Sequence, residues 1–416
     1  MDSKLATDRA EALKLVHERL EMAVRGGLIR LRVEGQSRDS RTIGVRGRDL
    51  LNYGSCAYLG LNTDQRLIDG AKAALDQYGP VFSSSAAYAS IGLYTDLEER
   101  LGKIFDQGHV LVPTTTTLGH LSVLPVLVSP GDLVLLDHQV HASVQLTAGV
   151  LRGIGAEVRT IPHNDVGALY GVLSEDAHKH KRVWFLADGV YSMYGDTAPV
   201  KAIAPLLDEF ENLYLYYDDA HGVGWRGRHG VGHVLTEVGY HPRMIMIGSL
   251  AKSWGAGGSV LVLPSQTMAE HVLLAGATFT FSGPVHPAEL GAAVAAADIH
   301  LSAERDVREE QLLTKIDYVR DRLVASQLPA LSLERTPLWF VRVGEPENAI
   351  ELARRMMHDG FYVNVSGFPV VPLGMDGIRF TTTLFQTDDD LARFMDALER
   401  NIEGLVVPLE WRIELH

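Results

Sequence analysis

The chain has 416 residues and a formal charge of −14, from 38 basic and 52 acidic side chains. At about 150 residues per domain, this length predicts two or three domains. Its 46% hydrophobic and 22% charged residues are typical of a globular protein and exclude a disordered or collagen-like chain. The acidic charge argues against nucleic-acid binding. The single cysteine, Cys56, excludes an intrachain disulfide and a cysteine-based zinc site.

The N-terminal segment is predicted to be helical. Residues 3–25 carry apolar side chains at helical spacing from Leu13 to Val24, and Gly26-Gly27 ends the pattern. Early acidic residues without an apolar core do not resemble a signal peptide, and no apolar run reaches the roughly 20 residues of a membrane-spanning helix. We therefore expect a cytoplasmic protein that does not interact with membranes.

Between residues 70 and 265, short apolar runs alternate with segments of helical character. The runs show little alternation of apolar and polar side chains, which indicates strands buried on both faces. Strands that alternate with helices predict an α/β fold, and ligands of such sheets bind at the carboxyl ends of the strands. The runs are His109–Val112, Leu133–Leu136, Val183–Ala187, Leu213–Tyr217, Met244–Ile247 and Ser259–Leu263.

The C-terminal part is predicted to form a smaller unit that follows one long helix over residues 287–326. Strand-like and helical segments are mixed there: Leu338–Val343, Ala349–His358, Tyr362–Val365, Ile378–Thr382 and Asp388–Glu403. We therefore predict three parts. They are an N-terminal helix and arm over residues 1–50, a large ligand-binding domain over 51–290, and the interdomain helix with a small α+β domain over 291–416.

Three local motifs suggest other chemistry but lack the context that it needs. Gly222–Gly227 matches the dinucleotide-binding fingerprint, yet the following Arg228–Gly232 is poor helix sequence. Ser249–Lys252 has the S-x-x-K spacing of penicillin-binding enzymes, but S-D-N and K-T-G do not occur in the sequence. Asp137–His141 offers a carboxylate and two imidazoles without a third strong ligand nearby, so we predict no metal site.

The order of Asp218, His221 and Lys252 is more informative. Asp218 ends one apolar run, and Lys252 follows another run and precedes a glycine-rich segment, Gly255–Gly258. An aldehyde cofactor such as pyridoxal phosphate needs a lysine for its Schiff base and a carboxylate that keeps its pyridine nitrogen protonated. It also needs donors for its phosphate, and glycines that allow close approach of the backbone. These residues are compatible with pyridoxal-phosphate chemistry, although a buried aspartate and a later lysine are, taken alone, more often structural.

Several spaced blocks between residues 52 and 400 carry a family pattern. They are Asn52–Leu61 (an N-Y-L-G-L-type block), Asp137–Ser143 (D-x-x-x-H-A-S), His163–Asp165 (H-N-D), Asp188–Pro199 (D/E-G-V-F-S-M-x-G-D-x-A-P), Asp218–Gly224 (D-D/E-A-H-x-x-G) and Ser249–Lys252 (T/S-x-x-K). In these blocks the sequence resembles the α-oxoamine synthases, fold-type I pyridoxal-phosphate enzymes that include serine palmitoyltransferase and aminolevulinate synthase. The resemblance implies a large domain with a mostly parallel seven-stranded sheet and a smaller α+β C-terminal domain.

The resemblance also implies roles for individual residues. Lys252 forms the Schiff base and moves the Cα proton, and Asp218 pairs with the pyridinium nitrogen. Asp219 remains an alternative to Asp218, because successive strand residues face opposite ways. Arg379 takes the carboxylate of the amino acid, which a guanidinium can bind bidentately. The other implied cofactor residues are His141 on the ring, His221 and Ser192 at the phenolic oxygen, Ser249, Thr116 and Thr117 at the phosphate, Asp188, and Ser282 at the phosphate of the partner subunit's cofactor. Of this set, Lys252, His141, Asp218 and His221 are predicted to be catalytic.

Several positions differ from the usual family pattern. Cys56 and Ala57 replace an Asn-Asp pair, Tyr94 stands in place of a frequent histidine, and Thr115–Thr117 replaces a small-Gly-aromatic triplet. We predict that Cys56 and Tyr94 bind substrate together with Arg379. The cofactor residues match while the substrate-facing residues differ, which predicts a specialised member of the family.

The resemblance implies a pyridoxal-phosphate-dependent acyltransferase. It would condense an amino acid with an acyl thioester, on coenzyme A or a carrier protein, and lose carbon dioxide to give an α-amino ketone. The alternatives are an aldolase, a retro-aldolase or another carbanion reaction on an amino acid, and a catalytically silent partner subunit. The presence of Lys252, Asp218 and His221 argues against a silent subunit. A homodimer is expected, because the sites of this family lie at the subunit interface.

Overall fold

The computed structural model of the protein describes residues 2–106 and 108–407. Met1 and residues 408–416, at the ends of the predicted terminal parts, lie outside the described residues. The chain divides into two units, and the domain boundaries predicted at residues 50 and 290 stay a prediction. The large unit comprises Leu59–Ser192 and Thr197–Gln311, and the small unit comprises the described residues of Met1–Tyr58, Met193–Asp196 and Leu312–His416.

Helices and strands alternate through most of the described chain. The helices are α1 (Asp2–Arg25), α2 (Gln65–Tyr78), α3 (Leu93–Ile104), α4 (Thr116–Leu127), α5 (Ala142–Gly153), α6 (Val166–Asp176), α7 (Val200–Ile203), α8 (Leu206–Glu209), α9 (His233–Val238), α10 (Gln266–Ala275), α11 (Ala277–Phe281), α12 (Pro287–His300), α13 (Ala303–Ala325), α14 (Pro346–His358) and α15 (Asp388–Asn401). The strands are β1 (Gly35–Gln36), β2 (Thr42–Val45), β3 (Arg48–Asn52), β4 (His109–Leu111), β5 (Leu133–Asp137), β6 (Glu157–Ile161), β7 (Val183–Asp188), β8 (Leu213–Asp218), β9 (Met244–Ser249), β10 (Ser259–Leu263), β11 (Leu338–Gly344), β12 (Phe361–Tyr362), β13 (Asn364–Ser366) and β14 (Asp376–Thr381).

The large unit is built around a seven-stranded sheet with the strand order β4-β10-β9-β8-β7-β5-β6. Strands β6, β5, β7, β8 and β9 run parallel, whereas β10 is antiparallel to both of its neighbours. Every residue of β5, β7, β9 and β10 is buried, because helices and loops cover both faces, and this explains their continuous apolar runs. The predicted α/β fold with a mostly parallel sheet is confirmed.

Four strands of this sheet end in a polar residue at the same edge. These residues are Asp137 on β5, Asp188 on β7, Asp218 on β8 and Ser249 on β9. Asp188 and Asp218 stand opposite each other in the parallel register of β7 and β8. The carboxylate of Asp137 accepts a hydrogen bond from the backbone N–H of Asn164 (2.9 Å), so it closes the loops around it. The other three residues remain as candidates for the site.

One helix was predicted as too long, and one strand of the large sheet was not predicted. The single helix predicted over residues 287–326 is divided into α12 and α13. The division falls at Ser302, whose backbone N–H (3.0 Å) and hydroxyl (2.8 Å) both donate to the carbonyl of Ile299. Strand β6 was absent from the predicted runs. It is an edge strand with the charged residues Glu157 and Arg159, so it lacks the apolar run of the buried strands.

The small unit contains two sheets. One has the strand order β1-β2-β3-β12, and the other, which is antiparallel throughout, has the order β11-β14-β13. The predicted C-terminal segments all form, except that Tyr362–Val365 is divided between β12 and β13. The predicted N-terminal helix is α1. Within residues 2–106 and 108–407, the helices are too short or too polar to cross a membrane.

Candidate active site

The carboxylate of Asp218 is buried at the end of β8 and contacts a histidine from the adjacent helix. Its Oδ2 lies 3.0 Å from Nε2 of His120, a completely buried residue of α4. The Nδ1 of His120 lies 2.8 Å from the hydroxyl of Tyr216, which is also on β8. Burial disfavours the charged form of Asp218, but the hydrogen bond from His120 and the nearby charge of Lys252 outweigh it and hold the pKa of Asp218 below its usual range. Asp218 is therefore a buried anion.

Asp219 has a different environment, although it is the next residue. Its Oδ2 accepts a hydrogen bond from the backbone N–H of Val234 in the first turn of α9 (3.1 Å). Its Oδ1 has no hydrogen-bond partner among the residues that the structure describes. Burial raises the pKa of Asp219 to about 8, so this carboxyl is mostly protonated at neutral pH. The geometry therefore favours Asp218 over Asp219 as the partner of a cationic ring.

Lys252 lies in the loop between β9 and β10. The two ends of this loop are held together, because Ser249 and Ser259 are register partners in the antiparallel pair. Within the loop, the N–H of Gly255 donates to the carbonyl of Lys252 (3.0 Å). Gly255 has φ +69°, and a Cβ there would come within 2.3 Å of the backbone nitrogen of Asn62, so glycine is required. Since the charge of Lys252 acts on Asp218, the amine and the carboxylate belong to one site.

Helix α4 contributes to the site in two ways. It begins at Thr116, and the hydroxyl of Thr115 caps its first turn. The first N–H groups of a helix have no intrahelical acceptor, and together with the helix dipole they attract anions such as phosphate. Thr116 and Thr117 occupy this first turn, and His120 follows one turn later. The helix therefore places an anion-binding end and the histidine partner of Asp218 next to each other.

The other predicted cofactor residues lie in loops that follow β5, β7 and β8. The N–H of His141 donates to Oδ1 of Asp188 (3.0 Å), which fixes the loop that carries the imidazole. Burial, and then the charge of Asp218, raise the pKa of Asp188 well above its usual value. His221 is buried three residues after Asp218, and Ser192 is half-buried four residues after Asp188. All of these loops leave the sheet at the edge where Asp218 lies.

This set of side chains fits pyridoxal 5'-phosphate. A buried anion at Asp218 is what a protonated pyridine nitrogen requires, and Lys252 supplies an amine beside it. The first turn of α4 supplies N–H donors for a phosphate. The hydrogen bond between His120 and Asp218 joins the helix to the strand, so that both ends of the cofactor would be held by connected elements.

Ser282 and Tyr94 line one cavity of about 160 Å³ in the large unit. The hydroxyl of Tyr94 accepts a hydrogen bond from the backbone N–H of Val285 (2.8 Å), which fixes the ring. Glu98 lines the same cavity, and burial raises its pKa to about 7. Glu98 was not among the predicted site residues. The structure thus brings Ser282 and Tyr94 together and adds a carboxyl that changes charge near neutral pH.

In the small unit, Arg379 lies beside Cys56. Arg379 is on β14 and is only 8% exposed, and its Nη2 is 3.8 Å from the Sγ of Cys56. Two of the three predicted substrate residues therefore form one group in this unit, and the third, Tyr94, belongs to the large unit.

His120 and Tyr216 were also missed from the sequence. The only signal for His120 was a single histidine within a largely apolar helical segment, Thr116–Leu127, and such a residue is more often a packed core histidine than a site residue. Tyr216 is two residues before Asp218, so both lie on one face of β8, but strand tyrosines are common. Neither signal could be interpreted without the contact between α4 and β8.

Comparison with known proteins agrees with this site. A family model described as aminotransferase class I and II matches residues 48–398. The chain belongs to the aminotransferase class I and II family. The 8-amino-7-oxononanoate synthase of Dechloromonas aromatica is 32% identical over 379 residues, which cover 90% of this chain and 95% of that protein. The enzyme of the same name from Geobacter sulfurreducens is 32% identical over 388 residues, which cover 91% and 97%.

Solved structures confirm the fold of this aminotransferase class I and II enzyme. Serine palmitoyltransferase from Sphingomonas wittichii superposes with a TM-score of 0.86 at 22% identity, covering 93% of this chain and 96% of that one. An 8-amino-7-oxononanoate synthase from Francisella tularensis superposes with a TM-score of 0.72 at 18% identity, covering 85% and 98%. The predicted α-oxoamine synthase family, fold-type I architecture and pyridoxal 5'-phosphate dependence are confirmed.

Proposed function

We propose that this enzyme condenses an amino acid with an acyl thioester, with loss of carbon dioxide, and releases an α-amino ketone. The observation that carries the proposal is the buried carboxyl group of Asp218, which is bonded to His120 and lies near enough to Lys252 for the lysine charge to favour its ionised form. The names of the relatives support it. In 8-amino-7-oxononanoate the amino group is on the carbon next to the ketone, so that product is itself an α-amino ketone.

The residues that would hold pyridoxal 5'-phosphate all belong to the large unit. They are Lys252 through its amine, Asp218 at the pyridine nitrogen, His141 against the ring, His221 and Ser192 at the phenolic oxygen, Ser249 with Thr116 and Thr117 at the phosphate, and Asp188, which fixes the His141 loop. When bound, the cofactor supplies an electron sink that stabilises negative charge at the α-carbon of the amino acid.

The side chains of the protein bind the substrate and move its protons. Lys252, once its amine is neutral and released, is the base that removes the proton from the α-carbon and the acid that later returns one. Asp218 remains ionised and would stabilise the positive charge on the pyridine nitrogen, which this step requires. Arg379 binds the carboxylate of the amino acid with two hydrogen bonds, and Cys56 lies beside that guanidinium. Tyr94 would contact the substrate from the large unit.

A homodimer is part of this proposal, and an exposed aromatic surface of the large unit supports it. Tyr88 and Phe281 expose 89% and 88% of their surface. Their segments lie side by side, because the hydroxyl of Ser85 donates to the carbonyl of Thr280 (2.7 Å). Large exposed aromatic side chains are typical of contact surfaces. Ser282 directly follows Phe281, so contact through this surface would bring Ser282 towards the partner's cofactor.

The test is to supply the cofactor-loaded enzyme with a panel of amino acids and acyl thioesters and to measure free thiol and carbon dioxide. We expect equal amounts of both, and only when both substrates are present. The panel includes alanine with the coenzyme A thioester of heptanedioic acid, because this pair would yield 8-amino-7-oxononanoate. K252A is expected to abolish turnover, whereas K181A, which changes an exposed lysine, is the matched control.

Two outcomes would contradict the proposed reaction. Release of an aldehyde from a β-hydroxy amino acid without any thioester would identify an aldolase. If neither thiol nor carbon dioxide is released across the whole panel, the condensation is wrong, even if the protein binds the cofactor.

A further inference from the structure

Behind Asp218, a chain of two hydrogen bonds extends into the core of the large unit. It runs from Asp218 Oδ2 to Nε2 of His120 (3.0 Å) and from Nδ1 of His120 to the hydroxyl of Tyr216 (2.8 Å). His120 and Tyr216 have no exposed surface, and Asp218 is 5% exposed. His120 and Tyr216 are therefore buried on the core side of Asp218, where they do not reach the substrate.

We propose that His120 is a positioning residue that holds Asp218 ionised and correctly oriented for a pyridinium nitrogen, and that Tyr216 fixes the tautomer of His120 that does so. This inference rests on the proposed binding of pyridoxal phosphate, and it assigns a function to two residues that carry none in the reaction above.

The tautomer of His120 follows from the donors and acceptors in this chain of two hydrogen bonds. A tyrosine hydroxyl can donate or accept a hydrogen bond, whereas an imidazole nitrogen that carries a proton can only donate. If Tyr216 donates to Nδ1, then Nε2 carries the proton and donates to Asp218, and every group is satisfied. With the other tautomer, the lone pair of Nε2 would face the carboxylate, which is repulsive in a buried site. The partners thus assign the proton to Nε2.

The positions of these residues fix the geometry of the two hydrogen bonds. Tyr216 and Asp218 are two residues apart on β8 and lie on the same face, so both side chains point towards α4. The aromatic ring of Tyr216 also contacts the imidazole of His120 edge-on, with 5.7 Å between the ring centres. This packing orients the imidazole, so that its Nε2 is directed at Asp218.

Other charged groups act on Asp218 as well. Lys252 and His141 face it from their loops and favour its ionised form, whereas Asp188 on β7 stands opposite and opposes it. Asp219 is adjacent but bonds to α9. His120 bonds directly to Oδ2 of Asp218 (3.0 Å), and the backbone N–H of Ala220 donates to Oδ1 (3.0 Å). Removal of His120 would therefore leave Asp218 buried near a second carboxyl, and the proton would move from the pyridine nitrogen to Asp218.

The experiment loads the protein with pyridoxal phosphate labelled with 15N in the pyridine ring and records its 15N spectrum at pH 8. In the wild type we expect a protonated nitrogen. In H120A we expect the resonance of an unprotonated nitrogen and roughly tenfold weaker cofactor binding, since loss of a charge-assisted hydrogen bond has an effect of this size. In H120Q, the amide N–H can replace Nε2, so we expect a resonance and an affinity close to those of the wild type.

Tyr216 is tested by Y216F, which removes a single hydroxyl. We expect a shift of the pyridine resonance in the same direction as in H120A, but smaller. In protein with 15N-labelled histidine, the tautomer of His120 should change from Nε2–H to a mixture. Y217F is the matched control, because the Tyr217 hydroxyl is buried on the next residue of the strand and has no hydrogen-bond partner in the described part of the chain. Y217F should leave both signals unchanged.

The proposal is overturned if the nitrogen stays protonated in H120A, if H120Q behaves like H120A, or if Y216F and Y217F are indistinguishable. If H120A fails to fold, H120Q and Y216F still decide the question. Absence of condensation activity would count against the proposed reaction but not against this inference, because the spectra require only bound cofactor. If the wild type binds no cofactor, the histidine tautomer of the apoprotein still tests the link between Tyr216 and His120.

Discussion

At the scale of single residues, two consecutive aspartates at the end of β8 have opposite ionisation. Asp218 receives a hydrogen bond from His120 and lies near Lys252, so its pKa is lowered in spite of burial. Asp219 is equally buried but has only backbone donors, and its pKa rises to about 8. Because one side chain faces α4 and the other faces α9, carboxyl groups on adjacent residues differ in their ionisation state.

This difference predicts how the two amide variants bind the cofactor. D218N removes the buried anion and should weaken binding of pyridoxal phosphate about tenfold or more, the effect of losing a charge-assisted hydrogen bond. D219N replaces a mostly protonated carboxyl by an amide of the same shape and should bind as the wild type does. Titration followed by cofactor absorbance measures both. Equal losses in the two variants would show that Asp218 has no special role.

The raised pKa of Asp219 also predicts how the stability of the protein depends on pH. Its pKa in the folded protein is about 8, against 3.8 when unperturbed, so the folded state binds the proton more tightly. The resulting stabilisation is complete below about pH 4 and is lost as the pH rises through about 8. Between these limits the free energy of unfolding should fall by up to about 1.4 kcal/mol per pH unit from this group alone.

Urea unfolding of the wild type and of D219N at pH 6 and pH 8 measures this contribution. D219N cannot titrate, so the fall from pH 6 to pH 8 should be smaller in the variant by at least about 1.4 kcal/mol. Parallel pH profiles for the two proteins would contradict the raised pKa of Asp219.

At the scale of secondary-structure elements, two successive turns of α4 contribute to the site. Its first turn carries Thr116 and Thr117, the residues proposed to bind the phosphate, and its second turn carries His120, which bonds to Asp218. Val123, Leu124 and Leu127 of the helix are packed into the core of the large unit. A change at its N-terminus should therefore affect the cofactor as well as the stability of the fold.

The cap of α4 allows these two effects to be separated. T115A removes the hydroxyl that accepts the N–H of Leu118 and should cost about 1 kcal/mol of stability. S265A removes the equivalent cap of α10, which accepts the N–H of Met268, at a similar cost. Only T115A should also weaken cofactor binding, because it loosens the turn that holds Thr116 and Thr117. Calorimetry and cofactor titration measure the two effects, and equal affinities would argue against a phosphate at α4.

The same elements show what could be predicted from sequence. Buried parallel strands are continuous apolar runs, so six strands of the large sheet were predicted, whereas β6 is a charged edge strand and was not. The Lys252 and Asp218 blocks could be predicted because each is a local motif. The bond between His120 and Asp218 joins residues 98 positions apart, and it depends on how α4 packs on β8. No local pattern encodes such a contact.

At the scale of the whole molecule, the predicted site residues are distributed over both units. The predicted cofactor residues belong to the large unit, whereas Arg379 and Cys56 belong to the small unit. The surface with Tyr88 and Phe281 also belongs to the large unit, and it is where we propose that a second copy of the protein makes contact.

Contact between two copies predicts the behaviour of a surface variant. F281D places a charge on a side chain that is 88% exposed, so it should not disturb the monomer fold. We expect it to shift the protein from dimer to monomer in analytical ultracentrifugation and to weaken cofactor binding, because Ser282 of the partner would be lost. L333D, which changes an exposed leucine of the small unit, is the control. A dimer that persists in F281D would exclude this surface as the interface.

The reversed direction of β10 has a consequence for the assembly of the enzyme. Because β10 returns directly beside β9, only nine residues separate the register partners Ser249 and Ser259. Lys252, with its reactive amine, lies in that short loop. Closing so short a loop requires little chain entropy compared with a crossover that contains a helix. The backbone that carries the lysine is therefore closed by pairing between two strands that are neighbours along the chain.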